Sequence, residues 1–261
     1  AILLLLTLVV GCGGPKTEEE AIAALKRLGG RIKQNEQSEI IHVSFPGCPH
    51  LTDAGLEHLK GLTELQGLEL GHTEITDATL VHLKGLTKLK TLALDYTEIT
   101  DAGLVHLNGL TNLQDLGIAG TAVHDAGLTH LEGLPNLTTL DIGGSAVTDA
   151  GLTHLKRVTK LQSLRLDDDQ FTEVGVNHLK ELVQLRSLKV AHGLTDKDLA
   201  LLKHMDKLET LDLKVTRITD AGLVHLNGLT NLQRLILTAT QVTAAGVSEL
   251  RKALPNCKIT R

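Results

Sequence analysis

The sequence predicts an α/β solenoid in which a parallel β-sheet forms the concave side and helices form the convex side. The first observation is a duplication: the stretch TDAGLVHLNGLTNLQ occurs at Thr100–Gln114 and again, unchanged, at Thr219–Gln233. The two copies start 119 residues apart (219 minus 100), one residue less than five units of 24. The second observation is that each unit combines an apolar pattern of period two with one of helical spacing.

Units of the same kind surround these copies, because a Thr-Asp pair or a close variant recurs about every 24 residues. They begin at Thr52, Thr76, Thr100, His124, Thr148, Thr172, Thr195, Thr219 and Thr243. The unit that begins at Thr172 has only 23 residues, which locates the deletion, and the last unit is degenerate. A single unit cannot bury its apolar side chains alone, so neighbouring units must stack.

Each unit is predicted to contain one strand and one helix. Alternating apolar residues such as Leu92 and Leu94 indicate a short, half-buried strand. In the TDAGLxHLxGL segment, Thr supplies an N-cap oxygen, and the adjacent Asp favours the positive end of the helix dipole. A glycine then fits the left-handed residue that ends a helix. These predicted stops are Gly61, Gly85, Gly109, Gly133 and Gly228.

The strand pattern reads Leu65-x-x-Leu68-x-Leu70-x-x-Thr73-x-Ile75, and it resembles the leucine-rich-repeat family. The resemblance covers eight repeats over residues 52–242 and implies a right-handed, horseshoe-shaped solenoid. The chain carries a hydroxyl residue where the family usually has Asn or Cys. These residues are Thr73, Thr97, Thr121, Ser145, Thr216 and Thr240, whereas Asp169 breaks the series. A short polar side chain here can satisfy backbone groups as the chain leaves the strand.

Both ends of the array are predicted to carry caps. Residues 17–51 form the N-terminal cap, with a helix that opens on a Thr17–Glu20 capping box and stops at Gly29-Gly30. The stretch SEIIHVSF then provides a first, atypical strand. Residues 243–261 form the C-terminal cap, with a longer and more charged helix.

The first 12 residues, AILLLLTLVVGC, are predicted to be an export signal. Their apolar run of ten residues is shorter than the ~20 residues that span a bilayer, and has the length of a signal-peptide hydrophobic region. The small residues before Cys12 resemble the lipobox of bacterial lipoproteins. This resemblance implies that Cys12 is lipidated and that residues 13–16 form a linker. It also implies a protein of the cell envelope that faces the periplasm or the exterior. The alternative is that the run is a buried strand.

Composition excludes several classes. The net charge is only -5, from 26 basic and 31 acidic residues that are interspersed, which argues against nucleic-acid binding.

Three cysteines do not form a disulfide framework. About nine strands stacked at ~4.8 Å would hold Cys48 and Cys257 roughly 40 Å apart, too far for a bond. Cys257 takes a leucine position, so we expect it to be buried in a monomeric solenoid.

No catalytic motif occurs: G-x-S-x-G, H-E-x-x-H, P-loop and C-x-x-C patterns are all absent. A histidine recurs at the seventh position of most units. These residues are His58, His82, His106, His130, His154, His178 and His225. Parallel side chains ~8–10 Å apart cannot share a metal, so we expect them to pack between helices. Asp167-Asp168-Asp169 lacks further cation ligands, and we predict no metal, no cofactor and no enzyme activity.

The concave face is the remaining candidate for function. Between the buried leucines, its strands present Glu69, Ala93, Gly117, Asp141, Arg165, Lys189, Asp212 and Ile236. The predicted ligand-binding residues are Glu69, Tyr96, Asp141, Arg165, Asp167, Lys189, Asp212, Lys214 and Arg234. Residues 165–194 depart most from the repeat, so a site should include them. The sequence thus predicts a non-catalytic protein- or glycan-binding module, or alternatively an envelope scaffold without a specific ligand.

Overall fold

A computed structural model describes residues 18–167 and 171–261. Eleven strands form one open sheet in chain order, and every pair from β2 onward is parallel. The strands are β1 (Arg31–Gln34), β2 (Ile40–Ser44), β3 (Gly67–Glu69), β4 (Thr91–Ala93), β5 (Asp115–Gly117), β6 (Thr139–Asp141), β7 (Ser163–Asp167), β8 (Ser187–Ala191), β9 (Thr210–Asp212), β10 (Arg234–Ile236) and β11 (Lys258–Thr260). The predicted solenoid is confirmed.

The helical side of the units consists of short segments. The α-helices are α1 (Glu18–Arg27), α2 (Asp77–Leu80), α3 (Asp101–Leu104), α4 (Asp149–Leu155), α5 (Glu173–Leu179), α6 (Asp196–Leu202), α7 (Asp220–Leu223) and α8 (Ala244–Ala253). The 3₁₀ segments lie at Leu56–Leu59, Val81–Leu83, Val105–Leu107, Gly127–Gly133 and Val224–Leu226. The predicted unit helix is thus often one α turn followed by one 3₁₀ turn. The unit beginning at His124 has only the 3₁₀ segment and lacks a hydroxyl N-cap.

The core lies between the sheet and the helical segments. Leu68, Leu92 and Leu116 pair in register across β3, β4 and β5 and are at most 1% exposed. The one-residue deletion does not disturb this register, because Ser187 still pairs with Thr210. It is absorbed after β8 at His192 and Gly193, where φ is 63° and 45°. Stacking of the leucines therefore sets the register, and the turns adapt to it.

The cap regions contain more strands than the sequence predicts. β1 pairs antiparallel with β2, and β11 extends the sheet beyond β10. Both strands are short and largely exposed, so neither has the alternating burial that marks the repeat strands. Gly29 (φ 89°) follows α1, as predicted, whereas Thr17 lies outside the described residues. Cys257 is buried and both described cysteines are free thiols, as predicted.

The predicted glycine stops are confirmed at three of five positions. Gly61, Gly85 and Gly109 have φ between 95° and 101°. The prediction is wrong for Gly133, which belongs to a 3₁₀ segment, and for Gly228, which does not have a positive φ. Three units before Gly228 carry a larger residue at this position: Arg157, Glu181 and His204. A positive φ is costly for such residues; none of the three has one, and Gly228 shares this feature with them.

The hydroxyl residues after the strands perform the predicted role. Each donates a hydrogen bond of 2.6–2.7 Å to the carbonyl oxygen three residues earlier. The donors are Thr73, Thr97, Thr121, Ser145, Thr216 and Thr240. Asp169, the predicted break in the series, lies outside the described residues.

Carboxylates link most units to the next. Asp77 accepts hydrogen bonds from the backbone N–H and the hydroxyl of Thr100, at 2.9 and 2.6 Å. The same pair of bonds joins Asp53 to Thr76, Asp125 to Thr148, Asp149 to Thr172, Asp196 to Thr219 and Asp220 to Thr243. The sequence predicts only a helix-dipole role for this Asp. Its contact with the following unit requires the stack.

Candidate functional site

The concave face, defined as the sheet face opposite the helical segments, presents the outward residues that the sequence predicts. Glu69, Ala93 and Gly117 pair in register, as do Asp141, Arg165 and Lys189 farther along. Asp212 and Ile236 continue the same row on β9 and β10. Their placement follows from strand alternation, because the preceding leucine of each strand is buried in the core.

Charged side chains make contact across the middle of this face. Arg165 forms an ion pair with Asp141 on β6, with 3.3 Å between the nearest nitrogen and oxygen, and Lys189 pairs with Asp167 on β7. Partial burial lowers the pKa of Lys189, but Asp167 and Asp212 outweigh it and raise the pKa overall. Lys189 therefore stays charged at neutral pH.

Asp212 is the most buried carboxylate of this group, and one oxygen atom of Asp167 is buried as well. Asp212 is 9% exposed and accepts a hydrogen bond from the backbone N–H of Lys214 at 3.1 Å. The Oδ1 atom of Asp167 is buried and has no hydrogen-bond partner within the described residues. Asp168 and Asp169, considered above as cation ligands, lie outside those residues. Six of the nine candidate residues thus occupy adjacent strands, β6 to β9 and the turn after β9.

The other three candidates lie apart from this group. Glu69 is on β3, and its carboxylate is 3.3 Å from His42 Nε2 on β2. Tyr96 is at the rim, in the turn after β4, where φ is 56° and the side chain is 58% exposed. Arg234 begins β10 and is exposed. The structure consequently divides the candidates into a central group and single positions on either side of it, of which Arg234 lies on the strand next to β9.

Two residues outside the nine predicted ligand-binding residues help to form this face. The His72 ring stacks on Tyr96, with centroids 4.6 Å apart and planes inclined by 15°. Asp95 accepts a hydrogen bond from the backbone N–H of Ala119 at 3.0 Å. Gly117 leaves room for the Asp95 carboxylate, because a Cβ at residue 117 would overlap it. Two features of the sequence could have indicated these residues. His72 and Tyr96 occupy the same position in consecutive units, 24 residues apart, and Gly117 has no side chain to fill the space that Asp95 occupies.

Burial raises the pKa of Asp95, and the nearby charge of Asp141 adds to this effect. The hydrogen bond from Ala119 and the neighbouring His72 oppose the shift without cancelling it. Asp95 therefore carries its negative charge at an energetic cost that a cationic ligand would reduce.

The recurring histidines lie on the helical side of the units and are all partly exposed. This agrees with the predicted packing between helical segments. His58 Nδ1 is buried and has no partner among the described residues. Within residues 18–167 and 171–261, no group of three or more His, Cys, Asp or Glu side chains could hold a metal ion.

Comparison with known proteins agrees with this architecture. A Leucine Rich repeat family model matches residues 85–107 and 133–156. No curated protein matches the chain. Internalin C2 from Listeria monocytogenes has a similar solved structure, with a TM-score of 0.55 and 24% identity over 92% of each chain. The chain contains leucine-rich repeats and has the solenoid fold of such proteins.

Two plant structures also share the fold of this leucine-rich-repeat protein. The ectodomain of the Arabidopsis thaliana receptor kinase GASSHO1/SCHENGEN3, in complex with CASPARIAN STRIP INTEGRITY FACTOR 2, has a TM-score of 0.53 and 18% identity, covering 87% of this chain and 27% of that one. The plant peptide hormone receptor RGFR1, in complex with RGF2, has a TM-score of 0.51 and 14% identity, covering 88% and 36%. At these identities the likeness shows the fold alone.

Proposed function

We propose that this leucine-rich-repeat protein is a non-catalytic interaction module that binds a protein partner on its concave face. The observation that carries the proposal is the central charged group on β6–β9, where Asp141, Arg165 and Lys189 stand side by side on an open sheet face. Arg165 is exposed, and arginine is enriched among residues that contribute most to interfaces. The two plant receptors of similar fold were solved with partners bound, which supports a ligand-binding role.

We further propose that a lipid on Cys12 anchors the protein at the cell envelope, with the array facing the periplasm or the exterior. Cys12 lies outside the described residues, so this proposal rests on the lipobox-like sequence. None of the helices in the described part of the chain is long and apolar enough to cross a membrane. Radiolabelled palmitate should be incorporated into the wild type and not into Cys12→Ala. Equal incorporation in both would refute the anchor.

The binding proposal can be tested by affinity capture from the native envelope. The bait is the full chain, compared with an Arg165→Glu/Lys189→Glu variant, which reverses two cations of the central group. A matched control, Lys84→Glu/Lys203→Glu, makes the same charge change where helical segments end. A partner that is lost only with the concave-face variant supports the proposal.

The other outcomes distinguish the alternatives. Capture that is equal for all three baits would place the binding surface elsewhere. Capture that glycosidase treatment abolishes would identify a glycan as the ligand. The absence of any partner would favour a structural scaffold. In a scaffold, the contacts of Arg165 with Asp141 and of Lys189 with Asp167 would only stabilise the sheet.

A further inference from the structure

Charge is segregated along the concave face. The described outward positions on and directly after β3–β6 carry four carboxylates and no Lys or Arg: Glu69, Asp95, Asp115 and Asp141. The corresponding positions of β7–β11 carry five cations: Arg165, Lys189, Lys214, Arg234 and Lys258. They also carry two carboxylates, Asp167 and Asp212, so the formal charge is -4 on the first half and +3 (5 minus 2) on the second.

Several of these charges are not neutralised by the protein itself. Asp115 on β5, Arg234 on β10 and Lys258 on β11 form no ion pair with another described residue. Arg234 and Lys258 are exposed, and Asp115 is half-buried. The ion pairs of Arg165 with Asp141 and of Lys189 with Asp167 lie near the boundary between the halves, and Glu69 at the far end of the acidic half contacts His42. The outer part of each half is therefore free to attract the opposite charge.

The two halves of the concave face also differ in the length of their side chains. Half of the outward positions in the acidic half are Gly or Ala: Gly67, Gly71, Ala93, Gly117, Ala119 and Gly143. The Asp95 carboxylate lies low, over Gly117. A long basic side chain can reach down to such a group, whereas the long cations of β8–β11 can meet short acidic side chains.

From this arrangement we infer that the partner is an extended polypeptide segment with its own charges segregated, basic residues over β3–β6 and acidic residues over β7–β11. This inference rests on the proposed function and specifies the partner's chemistry. Eight strand spacings of ~4.8 Å give a face about 38 Å long, which ~11 extended residues would cover. Two concave faces cannot follow each other along their length, so a second copy of the chain could reach this face only with another part of its surface.

The test uses fluorescein-labelled synthetic peptides and the full chain. One peptide has four Lys, a Gly-Ser-Gly-Ser linker and four Glu; the other has the same composition with Lys and Glu alternating. Fluorescence anisotropy at low salt should give at least a tenfold lower Kd for the segregated peptide. The difference should disappear at 0.5 M salt, where charges are screened within a few ångströms. Equal affinities at low salt would overturn the inference.

Charge-neutralising variants locate the two contacts. Asp95→Asn/Asp115→Asn should raise the Kd of the segregated peptide several-fold. Arg234→Gln/Lys258→Gln, at the other end of the face, should have the same effect. Lys84→Gln/Lys203→Gln is the control and should leave the Kd unchanged. If neither concave variant changes the Kd, the peptide binds elsewhere and the inference fails. A salt-sensitive dimer in sedimentation that competes with the peptide would also overturn it, in favour of a second copy.

Envelope capture separates this inference from the proposed function. If capture yields a partner that depends on Arg165 and Lys189 while both peptides bind equally, the module binds a protein but does not select segregated charge. If capture yields none and both peptides fail to bind, both proposals are wrong.

Discussion

Asp198 accepts two hydrogen bonds from Thr195, one from the backbone N–H and one from the hydroxyl, each at 2.7 Å. In six other units the same two bonds come from an Asp of the preceding unit, as between Asp77 and Thr100. The unit before Thr195 carries Glu173 in place of that Asp. Asp198 therefore supplies from within its own unit the carboxylate that the preceding unit does not provide.

Asp198 occupies a position that is glycine in most units, and the structure explains why. A Cβ on Gly103, Gly151 or Gly222 would overlap the carboxylate of the preceding unit's Asp. Where that Asp is replaced by Glu173, the space is available for Asp198. Thr79 is the other exception, and its hydroxyl donates a hydrogen bond to Asp53. The residue at this position and the carboxylate of the preceding unit are thus coupled.

This coupling can be measured with a rescue experiment. Asp198→Gly should lower the free energy of unfolding by about 1–2 kcal/mol, because the Thr195 cap loses its acceptor. Adding Glu173→Asp should restore at least half of the loss, since it recreates the contact from the preceding unit. Urea denaturation of the wild type, both single variants and the double variant gives the coupling energy. If the effects of the two substitutions on the free energy of unfolding were additive, Asp198 and an Asp at residue 173 would not replace each other as the acceptor for Thr195.

Gly109 and Gly228 occupy the same position in the two identical 15-residue stretches, yet only Gly109 has a positive φ, of 95°. We expect Gly109→Ala to destabilise the protein by about 1–2 kcal/mol, because a Cβ disfavours that conformation. Gly228→Ala should be neutral or stabilising by up to ~1 kcal/mol, since its φ is permissive and no atom lies within 4 Å of the new Cβ. Thermal melts of both variants provide the comparison. Equal effects would show that the two turns are alike.

Asp95→Asn is expected to stabilise the fold. Burial raises the pKa of Asp95, so the folded state disfavours its charge at neutral pH, and the amide oxygen can still accept from Ala119. We expect an increase in Tm of about 1–2 °C at pH 7. The increase should shrink as the pH falls through the raised pKa, because the wild-type carboxyl then becomes neutral as well. A lower Tm for the variant at pH 7 would contradict this.

Asp53, one of the carboxylates that link the units, predicts a loss of stability in acid. Burial raises the pKa of Asp53, but hydrogen bonds from Thr79 and Thr76 outweigh it and lower the pKa overall. A depressed pKa adds stability that is fully present above the unfolded value of ~3.9 and is lost as the pH falls through the folded value. The free energy of unfolding should therefore decline below about pH 4. Asp53→Asn should make this decline shallower, and an unchanged slope would exclude Asp53 as a contributor.

Much of the architecture could be predicted because it follows from periodic burial. The register of Glu69, Ala93 and Asp141 follows from the 24-residue unit and from strand alternation. The cap strands β1 and β11 could not be predicted, because they are short and each has a single partly buried apolar residue, Ile32 or Ile259, between exposed neighbours. For the candidate site, alternation predicted which side chains face outward. It could not predict that Arg165 would contact Asp141, or that Tyr96 would lie at the rim against His72.

The sequence alone determined the stack of units, the inward leucines and the single deletion. Two identical stretches of 15 residues nevertheless differ at Gly109 and Gly228, so the local sequence does not determine that turn. The units stacked before Gly228 carry Arg157, Glu181 and His204, which disfavour a positive φ, whereas the units before Gly109 carry glycine. Only the tertiary structure decides between the two turns, because each unit packs against the backbone of its neighbours.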